Sequence, residues 1–125
     1  MTSLPLIAIV DDDAPFLRAM ESLVRALGWR AAGFDSAERF LASAERREAA
    51  CVVSDLQMPG MGGLALLAAL RAQGARPPVI LVTARSEPRL AAEALAGGAL
   101  RLLRKPVEPG ELIDCIARAL AARPV

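Results

Sequence analysis

The sequence predicts a doubly wound α/β fold, in which one five-stranded parallel sheet is covered by helices on both faces. Strand-like and helix-like segments alternate from end to end as five β/α pairs. Four of the strand segments are uninterrupted apolar runs, which is typical of strands buried on both faces. The intervening segments place their apolar residues at helical spacing. Short alternating β and α elements favour a parallel sheet with right-handed crossovers.

Composition limits the chain to a single globular domain. Its 125 residues are 54% hydrophobic and 23% charged, with a formal net charge of +1. This balance gives no electrostatic reason to expect nucleic acid or an anionic membrane as a partner. No apolar stretch approaches the roughly 20 residues of a membrane span, and three aspartates interrupt the N-terminal run, so it does not resemble a signal peptide. We expect one cytoplasmic domain over residues 1–125, with an ordered core at about 4–122.

Each predicted strand rests on a short apolar run, and the second run is the weakest of the five. Pro77-Pro78 interrupts the chain just before the fourth run. In chain order, the predicted strands are 6–10, 30–34, 51–55, 79–83 and 99–103.

The first two helices are predicted from an apolar face and from capping residues. The first begins near Pro15 and ends at Gly28, with apolar and charged residues on opposite faces. Asp35 and Glu38 resemble a capping box, which predicts a second helix that runs to about Arg46.

The remaining helices are bounded by glycine and proline. A leucine-rich segment that begins at Leu64 is stopped by Gly74. The fourth helix begins near Pro88, because proline suits a first turn, and ends at Gly97. The last helix runs to about Ala122.

Polar side chains stand at the C-terminal ends of four apolar runs. The first run ends in residues 11–13, three aspartates, and the others end in Asp55, Thr83 and, just beyond the fifth, Lys105. The C-terminal ends of parallel strands lie at one edge of the sheet, where ligands bind. We therefore expect these groups to form one site.

Each of these residues alone has an ordinary structural explanation. An aspartate at the start of a helix is stabilised there, Asp55 could cap its loop, Thr83 could be one more β-branched strand residue and Lys105 a solvated charge. As a group they are harder to explain in this way, because adjacent buried carboxylates repel one another unless a cation or protons intervene. Lysine and one divalent metal such as Mg²⁺ would balance the charge, and a carboxylate beside that metal can attack phosphorus to give an aspartyl phosphate.

Five segments of the chain resemble the receiver domain of two-component response regulators. They occur in the order and at the intervals of that family, and the joint pattern is far more specific than any one segment. The segments are residues 9–13 (IVDDD), 55–63 (DLQMPGMGG), 82–84 (VTA), 96–99 (AGGA) and 104–106 (RKP). The resemblance implies the flavodoxin-like (βα)5 receiver fold.

The resemblance also implies a magnesium site. Asp12 and Asp55 would ligate Mg²⁺ through their side chains, and Gln57 through its backbone carbonyl. Asp11 would act indirectly, through metal-bound water. Asp13 matches a position where the family varies, and it receives no role.

The phosphoryl group would be bound by residues from three strand ends. Asp55 would be the phosphoacceptor, and Lys105 would pair with the phosphoryl group. Thr83 would donate a hydrogen bond to a phosphoryl oxygen and move on activation, with Ala84 next to it. The bond that precedes Pro106 is expected to be cis, a geometry largely confined to proline.

Two positions beside the expected phosphoryl site, Leu102 and Arg85, affect how the switch would work. Leu102 stands where the family usually has Tyr or Phe, three residues before the lysine, so we expect a weaker or altered switch without loss of phosphorylation. Arg85, two residues after Thr83, could shield the phosphoryl group or be solvated.

The residues of the fourth helix, fifth strand and fifth helix carry mixed charge, which suits either a dimer face of an activated receiver or an ordinary surface. The charged residues concerned are Arg89, Arg101, Arg104, Arg118, Glu87, Glu93, Glu111 and Asp114.

The leading functional hypothesis is a receiver, not a turnover enzyme, that is phosphorylated by a sensor histidine kinase. Its switched surface would control an output, which in the relatives it resembles most is transcription through a helix-turn-helix domain; we expect no nucleic-acid binding by this chain alone. One alternative is a phosphatase or phosphotransferase with an aspartyl nucleophile, but Gln57 stands where such an enzyme needs a general acid. Another is a receiver-like binding module, which the complete set of acidic residues and lysine disfavours.

The two cysteines and the absence of histidine argue against zinc sites and against cysteine or serine catalysis. Cys51 and Cys115 lie far apart on apolar segments, which favours two buried free thiols. The chain has no histidine, so a zinc site is disfavoured and a Ser-His or Cys-His catalytic pair is excluded.

Overall fold

Five parallel strands form one sheet in the order β2-β1-β3-β4-β5. The computed structural model describes residues 4–122. Within that range the strands are β1 Leu6–Val10, β2 Arg30–Phe34, β3 Ala49–Asp55, β4 Val79–Thr83 and β5 Arg101–Arg104. The helices are α1 Ala14–Ala26, α2 Ala37–Ala42, α3 Gly63–Ala72, α4 Pro88–Ala96 and α5 Pro109–Ala121, with a 3-10 turn at Glu45–Arg47. The doubly wound fold class is confirmed.

Each face of the sheet has its own hydrophobic core. Because side chains alternate along a strand, Ala8 and Val10 of β1 point to one face and Ile7 and Ile9 to the other. The first face packs against α2, α3 and α4, where Phe40 is fully buried. The second face packs against α1 and α5.

Three predicted strand boundaries were wrong. β3 begins at Ala49 and not at 51, because the small residues Ala49 and Ala50 are buried and join the sheet beside β1. β5 begins at Arg101 and not at 99, and it ends at Arg104 and not at 103. Ala99 is instead held by a hydrogen bond from its N–H to the carbonyl of Ala94, which closes the end of α4.

The predicted start and end of the second helix were also wrong. The N-cap of α2 is Ser36, whose hydroxyl accepts a hydrogen bond from the N–H of Arg39, and not Asp35. The helix ends at Ala42 and not near Arg46, because Ser43 has extended backbone angles and its hydroxyl donates to the carbonyl of Phe40.

The sheet brings the polar strand ends to one edge, as expected. In the β3–β4 ladder Asp55 pairs with Val82, so that Thr83 lies one residue beyond it. Thr83 in turn pairs with Arg104 of β5, which places Lys105 directly after. Within residues 4–122, none of the helices is long and apolar enough to cross a membrane.

Candidate functional site

Three carboxylates converge at the C-terminal edge of the sheet. One oxygen of each of Asp11, Asp12 and Asp55 lies within 4.8 Å of the others. Asp11 and Asp55 are buried, whereas Asp12 is exposed. A cluster of carboxylate oxygens with one open side is the donor set that Mg²⁺ prefers, since this ion retains several of its waters.

Asp55 is held at the end of β3 by its backbone neighbours. Its side chain is 11% exposed, and its Oδ1 accepts a 3.3 Å hydrogen bond from the N–H of Gln57. Burial raises the pKa of the Asp55 carboxyl above its usual value, and the nearby charge of Asp11 adds to the effect. A carboxylate that is both buried and repelled by its neighbours is suited to bind a cation.

Lys105 supplies the positive charge of the cluster. Its Nζ lies 2.9 Å from Asp11 Oδ2 and 3.6 Å from Asp55 Oδ2, and 4.2 Å from the centroid of the Phe16 ring. Burial alone lowers the pKa of Lys105, but the hydrogen bond to Asp11 and the charges of Asp11 and Asp55 outweigh it and raise the pKa. The ammonium therefore remains protonated and partly neutralises the carboxylates.

The adjacent aspartates of the first run have separate roles. Asp11 Oδ1 accepts a hydrogen bond from the N–H of Asp13, and its Oδ2 accepts from Lys105. Asp13 is the N-cap of α1, where its Oδ1 accepts from the N–H of Phe16. Of the three, Asp12 is left with its carboxylate facing solvent beside Asp55.

Thr83 is buried at the end of β4 and is tied to the chain on both sides. Its carbonyl accepts a 2.7 Å hydrogen bond from the N–H of Lys105, and its Oγ1 accepts from the N–H of Arg85. Ala84 lies between them and is exposed. The peptide bond between Lys105 and Pro106 is cis.

Arg85 is paired with an acidic residue at the start of α4. Its guanidinium donates to both carboxylate oxygens of Glu87, at 2.6 to 3.1 Å. The hydrogen bonds to Glu87, and then its charge, raise the pKa of Arg85, and the hydrogen bond from Arg85 lowers the pKa of Glu87. The sequence suggested shielding or solvation for Arg85, and this partner was not foreseen.

Leu102 is half-buried and packs on the face of the sheet that α4 covers. It lines a cavity of about 180 Å³ together with Thr83, Pro88 and Ala91. The leucine therefore lies where a change in Thr83 can reach α4 through side-chain packing.

The loop between β3 and α3 is packed closely against its neighbours. A Cβ on Gly63 would lie 2.6 Å from the Asp55 carbonyl oxygen, so only glycine lets α3 begin this close to β3. Gly63 is therefore important for this close approach. Gly60 has a φ of +76°, and the next N–H, of Met61, donates to Glu38 Oε2 at 3.0 Å.

Sequence reasoning found the strand-end residues but missed three of their neighbours. Glu38 was taken for a helix-capping residue, whereas its carboxylate contacts the β3–α3 loop 23 residues away. Phe16 received no role at the site, although its ring lies beside Lys105 Nζ. Glu87 was expected only among the charged residues of the fourth helix, fifth strand and fifth helix, whereas it pairs with Arg85. Helical spacing carries no signal for these long-range and loop contacts.

The family model described as the response regulator receiver domain matches residues 7–117. The chain belongs to the response regulator receiver domain family. It is 35% identical over 120 residues to the transcriptional regulatory protein FixJ of Bradyrhizobium diazoefficiens. The aligned region covers 96% of this chain and 58% of FixJ. It is 34% identical over 119 residues to the response regulator protein TodT of Pseudomonas putida, which covers 95% of this chain and 52% of TodT.

Solved structures agree with this assignment. The crystal structure of FixJ-N superposes with a TM-score of 0.88 at 30% identity, covering 100% of this chain and 99% of FixJ-N. The chain spans little more than half the length of the curated relatives FixJ and TodT. Receiver domains bind Mg²⁺ at an acidic pocket, and the Asp11, Asp12 and Asp55 cluster is a pocket of that composition.

Proposed function

We propose that Asp55 of this receiver accepts a phosphoryl group from the phosphohistidine of a sensor histidine kinase. The observation that carries the proposal is the position of the Asp55 carboxylate: it is buried, lies within 4.8 Å of Asp11 and Asp12 oxygens, and is 3.6 Å from Lys105 Nζ. In the transfer, an Asp55 oxygen forms a bond to phosphorus while the bond from phosphorus to the donor nitrogen breaks. The kinase histidine keeps that electron pair.

The surrounding residues each have a role in this transfer. Asp12 and Asp55 would hold Mg²⁺ through side-chain oxygens and Gln57 through its carbonyl, with Asp11 acting through bound water. The metal supplies positive charge to the phosphoryl oxygens. Lys105 would exchange its contact with Asp55 for the phosphoryl group, and Thr83 and Ala84 would contact a phosphoryl oxygen from β4.

The output of phosphorylation would be a change in a protein surface. The Thr83 hydroxyl would leave the N–H of Arg85 for the phosphoryl group, and the change would reach the α4–β5–α5 surface past Leu102. That surface would then bind an output element or a second receiver. Because FixJ is named a transcriptional regulatory protein, we propose control of transcription through another domain.

A chemical phosphodonor tests the acceptor directly. With Mg²⁺ and acetyl phosphate, intact mass spectrometry should show one added phosphoryl group on the wild-type chain. Asp55→Asn should show none, whereas Asp114→Asn, a carboxylate on the exposed side of α5, should behave as wild type. Absence of added mass on the wild type, under conditions that preserve acyl phosphates, would sink the proposal and favour a receiver-like binding module. Steady turnover of a small phosphomonoester would instead indicate a phosphatase.

The leucine at position 102 should make the switch smaller than in receivers with an aromatic residue there. Leucine buries less surface than tyrosine or phenylalanine and has no hydroxyl to form a new hydrogen bond. We expect small amide shift changes in α4 and β5 when NMR spectra of the free and phosphorylated chain are compared. Leu102→Tyr provides the comparison; shifts in the wild type as large as those of this variant would contradict the prediction.

A further inference from the structure

A second polar cavity lies at the opposite edge of the sheet from Asp55. Its volume is about 440 Å³, and it is an open cleft between the 3-10 turn before β3 and the segment that joins α3 to β4. Arg46, Arg47 and Arg76 line it together with Gln73, and the half-buried Ala75 and Pro77 form part of its apolar floor. Since β3 has seven residues, this cavity is about 20 Å from Asp55 along the strand.

The positive charge around this cavity is only partly neutralised. Arg46 donates a hydrogen bond to the side-chain oxygen of Gln73, which is uncharged. Within residues 4–122, neither Arg47 nor Arg76 forms an ion pair. Of the two acids beside the turn, Glu48 is engaged by Arg30 at 2.9 Å, which leaves Glu45 as the nearby counter-charge.

The segment that carries Arg76 is ordered by another arginine. The guanidinium of Arg71 donates to the carbonyls of Ala75 and Pro77, at 3.1 and 3.0 Å. These two bonds bracket Arg76 and hold its backbone beside the cavity. The backbone that carries Arg76 is thus ordered by the fold and does not need a ligand to place it.

We propose that this cavity binds a small anion that carries a phosphate or carboxylate group on an apolar body. The planar guanidinium fork matches the two oxygens of either group, and the apolar floor would cover the rest of the ligand. The volume lies in the usual range of small-ligand sites, which is about 300–1,000 Å³. The site is separate from the phosphoacceptor and does not depend on it.

NMR titration with phenyl phosphate and with benzoate tests the proposal, since each probe carries one of the two anionic groups on a ring. In the absence of Mg²⁺ and at constant ionic strength, we expect saturable amide shifts confined to residues 45–49 and 73–77, for at least one probe. The shifts should persist in Asp55→Asn, which separates this site from the phosphoacceptor. If one probe alone saturates, the anion class is identified.

Matched charge variants decide whether the site is specific. Arg47→Gln with Arg76→Gln should weaken binding at least 10-fold. Arg18→Gln with Arg89→Gln, which removes the same charge from exposed positions on α1 and α4, should leave it unchanged. An equal loss in both double variants, shifts spread over the whole surface, or no saturable shift with either probe would overturn the proposal.

Discussion

At the scale of single residues, Glu87 and a phosphoryl group at Asp55 would compete for one guanidinium. Arg85 follows Thr83 by two residues, and its backbone N–H is bonded to the Thr83 hydroxyl. Its side chain is turned to Glu87, which is the N-cap of α4 but makes no side-chain capping bond. The carboxylate that could cap the helix is therefore occupied by the arginine.

Removing this carboxylate should lengthen the life of the aspartyl phosphate. In Glu87→Gln the ion pair is lost, so Arg85 is free to contact the phosphoryl oxygens and hinder the attack of water. Since an exposed ion pair holds Arg85 only weakly, its release changes the barrier little, and we expect dephosphorylation to slow by about 2- to 3-fold. The decay of phosphoryl occupancy, followed by intact mass, measures this rate.

A neighbouring ion pair provides the control for that experiment. Arg89 and Glu93 form a similar exposed pair, at 3.0 Å, within α4. Glu93→Gln should leave the lifetime unchanged, because Arg89 is not attached to Thr83. An unchanged lifetime in Glu87→Gln would mean that Arg85 is simply solvated after its release.

Individual site residues could be predicted only where position along the chain decides their place. Asp55, Thr83 and Lys105 each follow an apolar run, and parallel strands must present those ends at one edge. The contact of Lys105 with Asp11 depends on the distance between β1 and β5 across two intervening strands, and residue spacing does not contain that distance.

At the scale of elements, α2 restrains the loop that carries a proposed metal ligand. Glu38 lies in the first turn of α2 and accepts a hydrogen bond from the N–H of Met61. A Cβ added to Gly60 would lie 2.7 Å from the same carboxylate oxygen, so helix and loop are in close contact there. Gln57, three residues earlier, shares this loop.

Glu38→Ala should therefore weaken Mg²⁺ binding although Glu38 is not a ligand. Loss of one hydrogen bond of about 0.5–1.5 kcal/mol corresponds to an affinity about 2- to 12-fold lower, if the bond serves to hold the loop. Titration calorimetry measures the affinity, and faster amide exchange at Met61 would show that the loop is released.

The matched control is Glu45→Ala, which removes a glutamate from the 3-10 turn after the same helix. Its Mg²⁺ affinity should equal that of the wild type. Equal affinities in wild type and Glu38→Ala, with Met61 exchange increased, would contradict a positioning role and leave only a local structural one.

The elements themselves were predictable to the extent that apolar runs and capping residues mark them. All five strands were found, including the weak β2, because each contributes a run to the sheet. The errors fell on small residues: Ala49 and Ala50 have little hydrophobic signal yet are buried by neighbouring strands, and Ser36 competed with Asp35 as a cap. Only packing and backbone angles decide such cases.

At the scale of the whole molecule, the fold stabilises an acidic edge that is unfavourable on its own. Two hydrophobic cores hold five strands in register, and that register brings three carboxylates to within 4.8 Å. Lys105 alone does not balance them, and burial together with the charge of Asp11 raises the pKa of Asp55. The free receiver thus carries a local electrostatic cost at neutral pH, which a bound cation or a neutral side chain would relieve.

This cost predicts that Asp55→Asn is more thermally stable than the wild type in the absence of Mg²⁺. The folded pKa of Asp55 lies above its unfolded value, so the stabilisation by the protonated carboxyl is present below the unfolded pKa and is lost as pH rises through the folded pKa. The difference in Tm between variant and wild type should therefore be small in acid, grow across that window and stay constant above it. At pH 7 we expect about 2–6 °C, the effect of about 1 kcal/mol in a domain of this size.

Mg²⁺ should reduce this Tm difference by stabilising the wild type. An ion that binds only the folded wild type raises its stability by about 2.7 kcal/mol at one hundred times its dissociation constant. Asp55→Asn lacks one of the negative charges that would attract the ion, so Mg²⁺ should stabilise this variant less. Scanning calorimetry over pH, with and without Mg²⁺, separates the two effects, and Asp114→Asn is the control for a carboxylate outside the cluster. A Tm difference that does not change with pH would show that the asparagine stabilises by packing or hydrogen bonding, and that the charge of Asp55 is already compensated in the free protein.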